Sequence, residues 1–277
     1  MGMRVSTNIA AVNAQRTLQG SQRVISKSME QLSSGSRINK AADDAAGLAI
    51  SEGMKSQIRS YSQAQRNAND GISMVQTAEG GLSEVSNILT RMRELGIQAS
   101  SDTIGDTERG FLDKEVQQLK AESQRITQST KFGTTKLLDG SGDKYDFQVG
   151  IGNDDFADRI SFNAGETDAT TSSLGIDGFD FSSKTGAQEA LAKIDEAQTK
   201  VNGFRANLGA LQNRLTSTVD NLGVQHENIS AANSRIRDTD IASATADQAR
   251  NQVLLQANTS VLSQANQMPG IAMKLIG

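Results

Sequence analysis

The chain of 277 residues has no cysteine, no tryptophan, one proline and one histidine, and its formal net charge is -4. That inventory excludes a disulfide framework, a thiolate or His-rich metal site and a Cys nucleophile, and leaves His226 as the one base a Ser-His-Asp triad could use. Aromatic residues are 4% of the chain, low for an enclosed apolar pocket, and the acidic balance offers no field to attract nucleic acid or an anionic membrane. No stretch approaches the roughly 18 consecutive apolar residues of a membrane-spanning helix. Arg4 is followed by Val5, Ser6, Thr7 and Asn8, which is not a secretory signal. Met1-Gly2-Met3-Arg4-Val5-Ser6 matches a myristoylation spacing, but no basic cluster supports it.

With so little proline, only glycine interrupts helix, and hydrophobic period locates the elements. Residues 5–32 predict a thin helix with Leu18, Ile25 and Leu32 seven apart and Met29 beside them. Asp43 and Asp44 then stand where acidic side chains complement a helix start. From there Met54, Ile58, Tyr61, Ala68, Ile72, Val75, Leu82, Val85, Leu89 and Met92 predict one helix over about 44–100, with Gly80-Gly81 as a local weakness. Such a helix is roughly 85 Å long at 1.5 Å per residue. A compact globule of this size has a radius of gyration of about 19 Å. The expectation is a rod.

A third helix, about 106–130, places Leu112, Val116, Leu119 and Ile126 on one face. Between about 133 and 186 the composition shifts to nine of the 25 glycines and most of the aromatics. Tyr145, Phe147, Val149 and Ile151 alternate with polar residues, as do Ile160 and Phe162, so one or two small β-hairpins are expected at the far tip. Over 187–237 the row Ile194, Val201, Leu208, Leu215, Leu222, Ile229, Ile236 keeps heptad register, with Ala197, Phe204 and Leu211 three residues after its first members. That is a coiled-coil-like helix. A last helix over 241–268 carries Ala249, Val253, Ala257, Val261, Ala265 and Met268 as a stripe, bounded by Pro269-Gly270.

The expected fold is mainly α: an elongated antiparallel long-helix bundle with a β-hairpin tip, both termini helical and at the same end. Residues 44–237 form its rod domain, with Ile72, Val75, Leu82 and Leu89 packing against Ile194, Val201, Leu208, Leu211, Leu215 and Leu222. Residues 1–43 and 238–277 form the two halves of a terminal-helix domain. Their stripes of Ala, Ser and single large residues are too thin to order an isolated pair, so order is expected to arrive on association.

Chemical motifs fail in turn. Asp139-Gly140-Ser141-Gly142-Asp143 begins like a calcium loop, but Lys144 replaces the required glycine. Gly150-Ile151-Gly152 lacks the third glycine and the helix of a dinucleotide site. Asn228-Ile229-Ser230 and Asn258-Thr259-Ser260 match a glycosylation sequon inside predicted helices, where coincidence is the better account. His226 sits within the heptad helix without a cleft around it. Neither a metal nor a cofactor is expected, and the protein reads as a non-enzyme that contacts copies of itself. Arg91, Arg93 and Glu94 form a charged strip, read as a solvated face first and as a contact face for another protein second.

The run Leu32-Ser33-Ser34-Gly35-Ser36-Arg37-Ile38-Asn39-Lys40-Ala41-Ala42-Asp43-Asp44-Ala45-Ala46-Gly47-Leu48-Ala49-Ile50 resembles the N-terminal hallmark of bacterial flagellins. Ser6-Thr7-Asn8 is similar to that family's opening. Asp238-Thr239-Asp240-Ile241-Ala242, Gln256-Ala257-Asn258 and Leu262-Ser263-Gln264-Ala265-Asn266-Gln267 resemble its C-terminal end. The resemblance implies a minimal filament subunit without outer domains, exported unfolded through the flagellar type III apparatus and assembled outside the cell for motility. It implies an inner tube of terminal helices, with an assembly interface at Arg37, Ile38, Asn39, Asp43, Asp44, Leu48, Val253, Leu254, Val261 and Leu262. Implied partners are further copies of the chain, an export chaperone, and the filament cap and junction proteins; nucleic acid and membrane insertion are not among them. Residues 90–98 are similar to the segment recognised by Toll-like receptor 5, with contacts at Arg91, Glu94 and Leu95 and with Thr90 where the family usually has Gln. Lys274-Leu275-Ile276-Gly277 departs from the family's usual double leucine. A hook–filament junction protein of the same architecture and a soluble coiled-coil adaptor are the rival readings.

Overall fold

The computed structural model describes residues 8–276; the side chains of residues 269 and 271–276 lie outside that description, as do the Ser6-Thr7 half of the opening motif and the chain end at Gly277. Six helices, α1 (Ile9–Ser34), α2 (Ala45–Ala99), α3 (Asp106–Ser129), α4 (Thr171–Leu174), α5 (Lys184–Arg237) and α6 (Ile241–Ile276), account for most of them. Four strands, β1 (Lys131–Phe132), β2 (Thr135–Lys136), β3 (Lys144–Gln148) and β4 (Arg159–Asn163), lie between α3 and α4. The chain divides into two compact units, residues 1–58 with 227–277 and residues 59–226. The division falls inside α2 and α5, whereas the sequence placed its domain boundaries at the helix ends.

In the unit of residues 59–226, α2, α3 and α5 enclose an apolar core. Val75, Leu82, Leu89, Ile194, Val201, Leu208, Leu215 and Leu222 are all buried. Ile72 and Leu211 are only half-buried and pack against the edge of this core. Two antiparallel hairpins form. In the longer one Tyr145 pairs with Phe162 and Phe147 with Ile160, so four large side chains share the inward face. The alternation breaks after Gln148: the amides of Val149 and Gly150 both donate to the Asp158 carbonyl, and Ile151 is exposed in the loop.

Gly71 and Gly81 explain how the β region seats on α2. A Cβ at Gly71 would lie 3.1 Å from the Phe147 ring, and one at Gly81 2.7 Å from Leu138 Cδ1 and 2.6 Å from Thr130 Oγ1. The glycine that reads as a helix weakness is where the following segment approaches closely. The short α4 and the 3-10 turn Ala164–Glu166 have no hydrophobic period and escape a pattern reading.

In the unit of residues 1–58 with 227–277, α1 and α6 pair antiparallel, with the Asn8 side chain at Ala265 and Thr239 at Gly35. The α1 seam is Ala11, Ala14, Leu18, Ser21, Ile25, Ser28 and Leu32, alternating steps of three and four; Met29 lies outside it and is exposed. The α6 seam is Ala244, Asn251, Leu255, Asn258, Leu262 and Ala265. The two terminal helices pair through a seam that mixes Ala, Ser and Asn with Leu18, Ile25, Leu32, Leu255 and Leu262. The stripe predicted on α6 is not that seam. Ala249, Val253, Ala257, Val261 and Met268 all face outward and only Ala265 is buried. Nor does Pro269 end α6, which continues to Ile276.

Candidate assembly interface

The signature run folds as a connector between α1 and α2 within the unit of the terminal helices. Gly35 closes α1 in the left-handed conformation, with φ of 68°, the reversal that glycine makes without strain. The next residues lie along the α5–α6 junction. The Arg37 amide donates to the Arg237 carbonyl at 2.6 Å, the Thr239 amide to the Gly35 carbonyl at 3.0 Å, and Ser36 and Asp238 form an antiparallel bridge. The Arg37 guanidinium donates to the Ile236 carbonyl through Nη2 at 2.7 Å, satisfying a last-turn acceptor of α5. Gln31 Nε2 reaches the Arg37 carbonyl at 2.9 Å and Asn39 Nδ2 the Ser36 carbonyl at 3.1 Å.

Asp43 and Asp44 divide the remaining work. Asp44 caps α2 by accepting the Gly47 amide at 2.9 Å. Ile38 is 1% exposed beside Gly47, where an added Cβ would lie 2.8 Å from Ile38 Cδ1. Asp43 accepts from Lys27 Nζ at 2.9 Å and from the amides of Lys40 and Asn39 at 3.2 and 3.3 Å. The Lys27 hydrogen bond first, then the backbone amides, holds the Asp43 carboxyl below the usual carboxylate range. Glu30 in turn raises the Lys40 ammonium, at 2.7 Å. Further along, Asn233 Nδ2 donates to the Ser51 carbonyl at 2.8 Å, and Arg237 pairs with Glu52.

The residues expected at an assembly interface therefore separate into two groups. Arg37, Asn39, Asp43 and Asp44 use their polar groups inside the connector, Ile38 is buried there, and Leu48 is half-buried. Within the single chain the Ile38 side chain fills the space above Gly47. Val253, Leu254 and Val261 are exposed and Leu262 is half-buried. Ile9, Val12 and Val24 on α1 add exposed apolar surface that no sequence pattern singled out.

The charged strip on α2 is equally mixed. Arg91 pairs with Glu94 at 3.0 Å and Glu115 at 2.9 Å, and Arg93 with Asp195 at 2.6 Å; all are exposed. Leu95 is 2% exposed and belongs to the core. It lies on the seam face of α2, so its side chain offers no surface for the receptor contact that the resemblance implies there.

Two buried cations went unnoticed in the sequence. Arg109 donates to the carbonyls of Ala99 and Ser101, both at 2.9 Å, and pairs with Asp106 at 2.6 Å, capping the C-terminal end of α2. Lys120 Nζ donates to the Phe179 carbonyl and lies 4.1 Å from the Phe179 ring centroid. Burial lowers its ammonium pKa. Neither makes a pattern, because their acceptors are backbone carbonyls in other elements. His226 is half-buried on α5, and no group of three or more His, Asp or Glu among the described residues could hold a metal ion.

Comparison with known proteins addresses the whole chain. The bacterial flagellin N-terminal helical region matches residues 5–143 and the C-terminal helical region residues 191–276. A flagellin of Halalkalibacterium halodurans is 44% identical over 99% of this chain and 100% of its own length. The flagellar filament core protein flaB2 of Brachyspira hyodysenteriae is 42% identical over the same shares. The crystal structure of Bacillus cereus flagellin superposes with a TM-score of 0.51 at 33% identity, covering 61% of this chain and 94% of that one. Matched at both helical ends and along its full length by such relatives, the chain belongs to the bacterial flagellin family.

Proposed function

We propose that the protein is a structural subunit that polymerises with copies of itself into the bacterial flagellar filament and serves motility there, outside the cell. The observation that carries this reading is the outward stripe of α6: Val253, Val261 and Met268 stay exposed while a seam of Ala, Asn and Leu meets α1. An apolar face on a helix that has already found its internal partner is surface for a neighbour. Contacts that need not close on themselves build filaments. The polar side chains of Arg37, Asn39, Asp43 and Asp44 all make bonds that shape the turn, which fits a structural role. Export in an unfolded state through the type III apparatus suits terminal helices that share a thin apolar seam. The same stripe is what an export chaperone would cover, and the cap and junction proteins would meet the terminal helices. Recognition by Toll-like receptor 5 would use Arg91 and Glu94.

Electron microscopy of the concentrated protein tests the reading directly, with filaments expected. Val253→Asp combined with Val261→Asp puts two carboxylates on the outward stripe without touching the seam. Helicity and melting of the free chain should hold while filaments vanish. Filaments formed by this variant at the wild-type concentration, or none formed by the wild type, would refute the assignment.

A further inference from the structure

Pro269 lies inside α6, where a helix needs an amide that proline lacks. The acceptor left without its i+4 donor is the carbonyl of Ala265. Asn8 Nδ2 donates to that carbonyl at 2.7 Å. The same side chain, through Oδ1, accepts from the Ala11 amide at 3.1 Å and so caps α1. Ala265 is 5% exposed, so its carbonyl sits where replacement by water is least easy. One amide thus satisfies an orphan donor at the start of one helix and an orphan acceptor near the end of the other.

We infer that Asn8 is a positioning residue that fastens the two ends of the chain in one register, by supplying to α6 the hydrogen bond that Pro269 withholds. Among the described residues no other side chain donates to the Ala265 carbonyl. The α1–α6 seam does not specify register strongly, since Ala14, Ser21 and Ser28 differ little in size and Asn251 and Asn258 recur every seven residues. A slip of one heptad would move few large side chains out of place. It would, however, carry Asn8 away from the Ala265 carbonyl, which Pro269 leaves without its helical donor. The proline that reads as a helix end in the sequence instead creates the acceptor that marks the register.

The consequence for assembly rests on the filament reading: only in one register does the outward stripe of α6 stand at a fixed height against α1. The test is a double-mutant cycle in the full chain, with wild type, Asn8→Ser, Pro269→Ala and the double variant. Serine keeps an acceptor for the α1 cap but is too short to reach α6. Amide exchange over residues 260–268 is followed in the free chain and in polymer. In the wild-type background Asn8→Ser should cut protection roughly five-fold, the equivalent of one ordinary hydrogen bond. In the Pro269→Ala background, where the restored backbone amide at position 269 serves Ala265, it should cut nothing. The inference is overturned by an equal loss in both backgrounds, by no loss in either, or by absence of protection in both the free chain and the polymer. A wild type that never polymerises refutes the filament reading instead and leaves the free-chain cycle to judge Asn8.

Discussion

Gly47→Ala should destabilise the protein, although the same change at Gly53 on the same helix should stabilise it. Alanine inside a helix gains about 0.5–1 kcal/mol over glycine by limiting the unfolded chain. At position 47 that gain meets two losses. The new Cβ would overlap the Asp44 carboxylate and lie 2.8 Å from Ile38 Cδ1. Moving Asp44 breaks the 2.9 Å cap of α2, a loss of roughly 0.5–2 kcal/mol. Moving Ile38, which is 1% exposed, is an overpacking cost of about 1–3 kcal/mol. The losses win, and the net expected destabilisation is about 0.5–4.5 kcal/mol. Gly53 is the control: it lies six residues on in α2 with nothing within 4 Å of an added Cβ, so Gly53→Ala should stabilise by about 0.5–1 kcal/mol. Urea unfolding followed by helical circular dichroism, with amide exchange over residues 44–50, reads both. A Gly47→Ala variant whose midpoint rises alongside that of Gly53→Ala would show that the connector does not press on α2.

Two further changes probe charge. Arg109→Met keeps the buried stem but leaves the carbonyls of Ala99 and Ser101 without their donor, so a loss of about 2–4 kcal/mol should appear in the unfolding midpoint of the purified chain. Asp43 has its folded pKa below the unfolded value, so its contribution is present above about pH 4 and is lost as pH falls through the folded value. Acid titration should therefore loosen residues 36–44 by amide exchange, and Asp43→Asn should make those residues loose already at neutral pH and flatten that pH dependence; a wild-type connector indifferent to acid would refute the Lys27–Asp43 clamp.

The sequence made the long helices legible because heptad spacing is a geometric constraint that composition cannot imitate over five turns and more. The row from Ile194 to Leu222 is buried, and the structure separates it from Ile72 and Leu211 only by rotation to the edge of the core. What period cannot convey is which neighbour a stripe meets. On α6 the most apolar stripe, Ala249 to Met268, is the outward one, and the inward seam contains Asn251 and Asn258. A reader who assigns the greasier face to the chain's own core will therefore invert this helix. Glycine has the same ambiguity: Gly81 costs helix propensity by itself, yet Leu138 and Thr130 occupy the space its side chain would need.

The signature run shows the opposite imbalance. Its residues identify the family at once, and several bond within the turn itself, but Gly35, Ser36 and Arg37 have partners far along the chain. Arg37 reaches a carbonyl 199 residues away, and the Asn8 amide one 257 residues away. Both acceptors are backbone oxygens, which carry no residue-type signal at all. Ile38, Asn39 and Asp43, read as surface for other copies, also shape the turn within the single chain. Their influence on assembly would then be indirect. The connector sets how α1 leaves the α5–α6 junction, and α1 is the surface against which the outward stripe of α6 is held. A substitution in the turn and one on the stripe should both abolish filaments, but only the first should also change amide protection in the free chain.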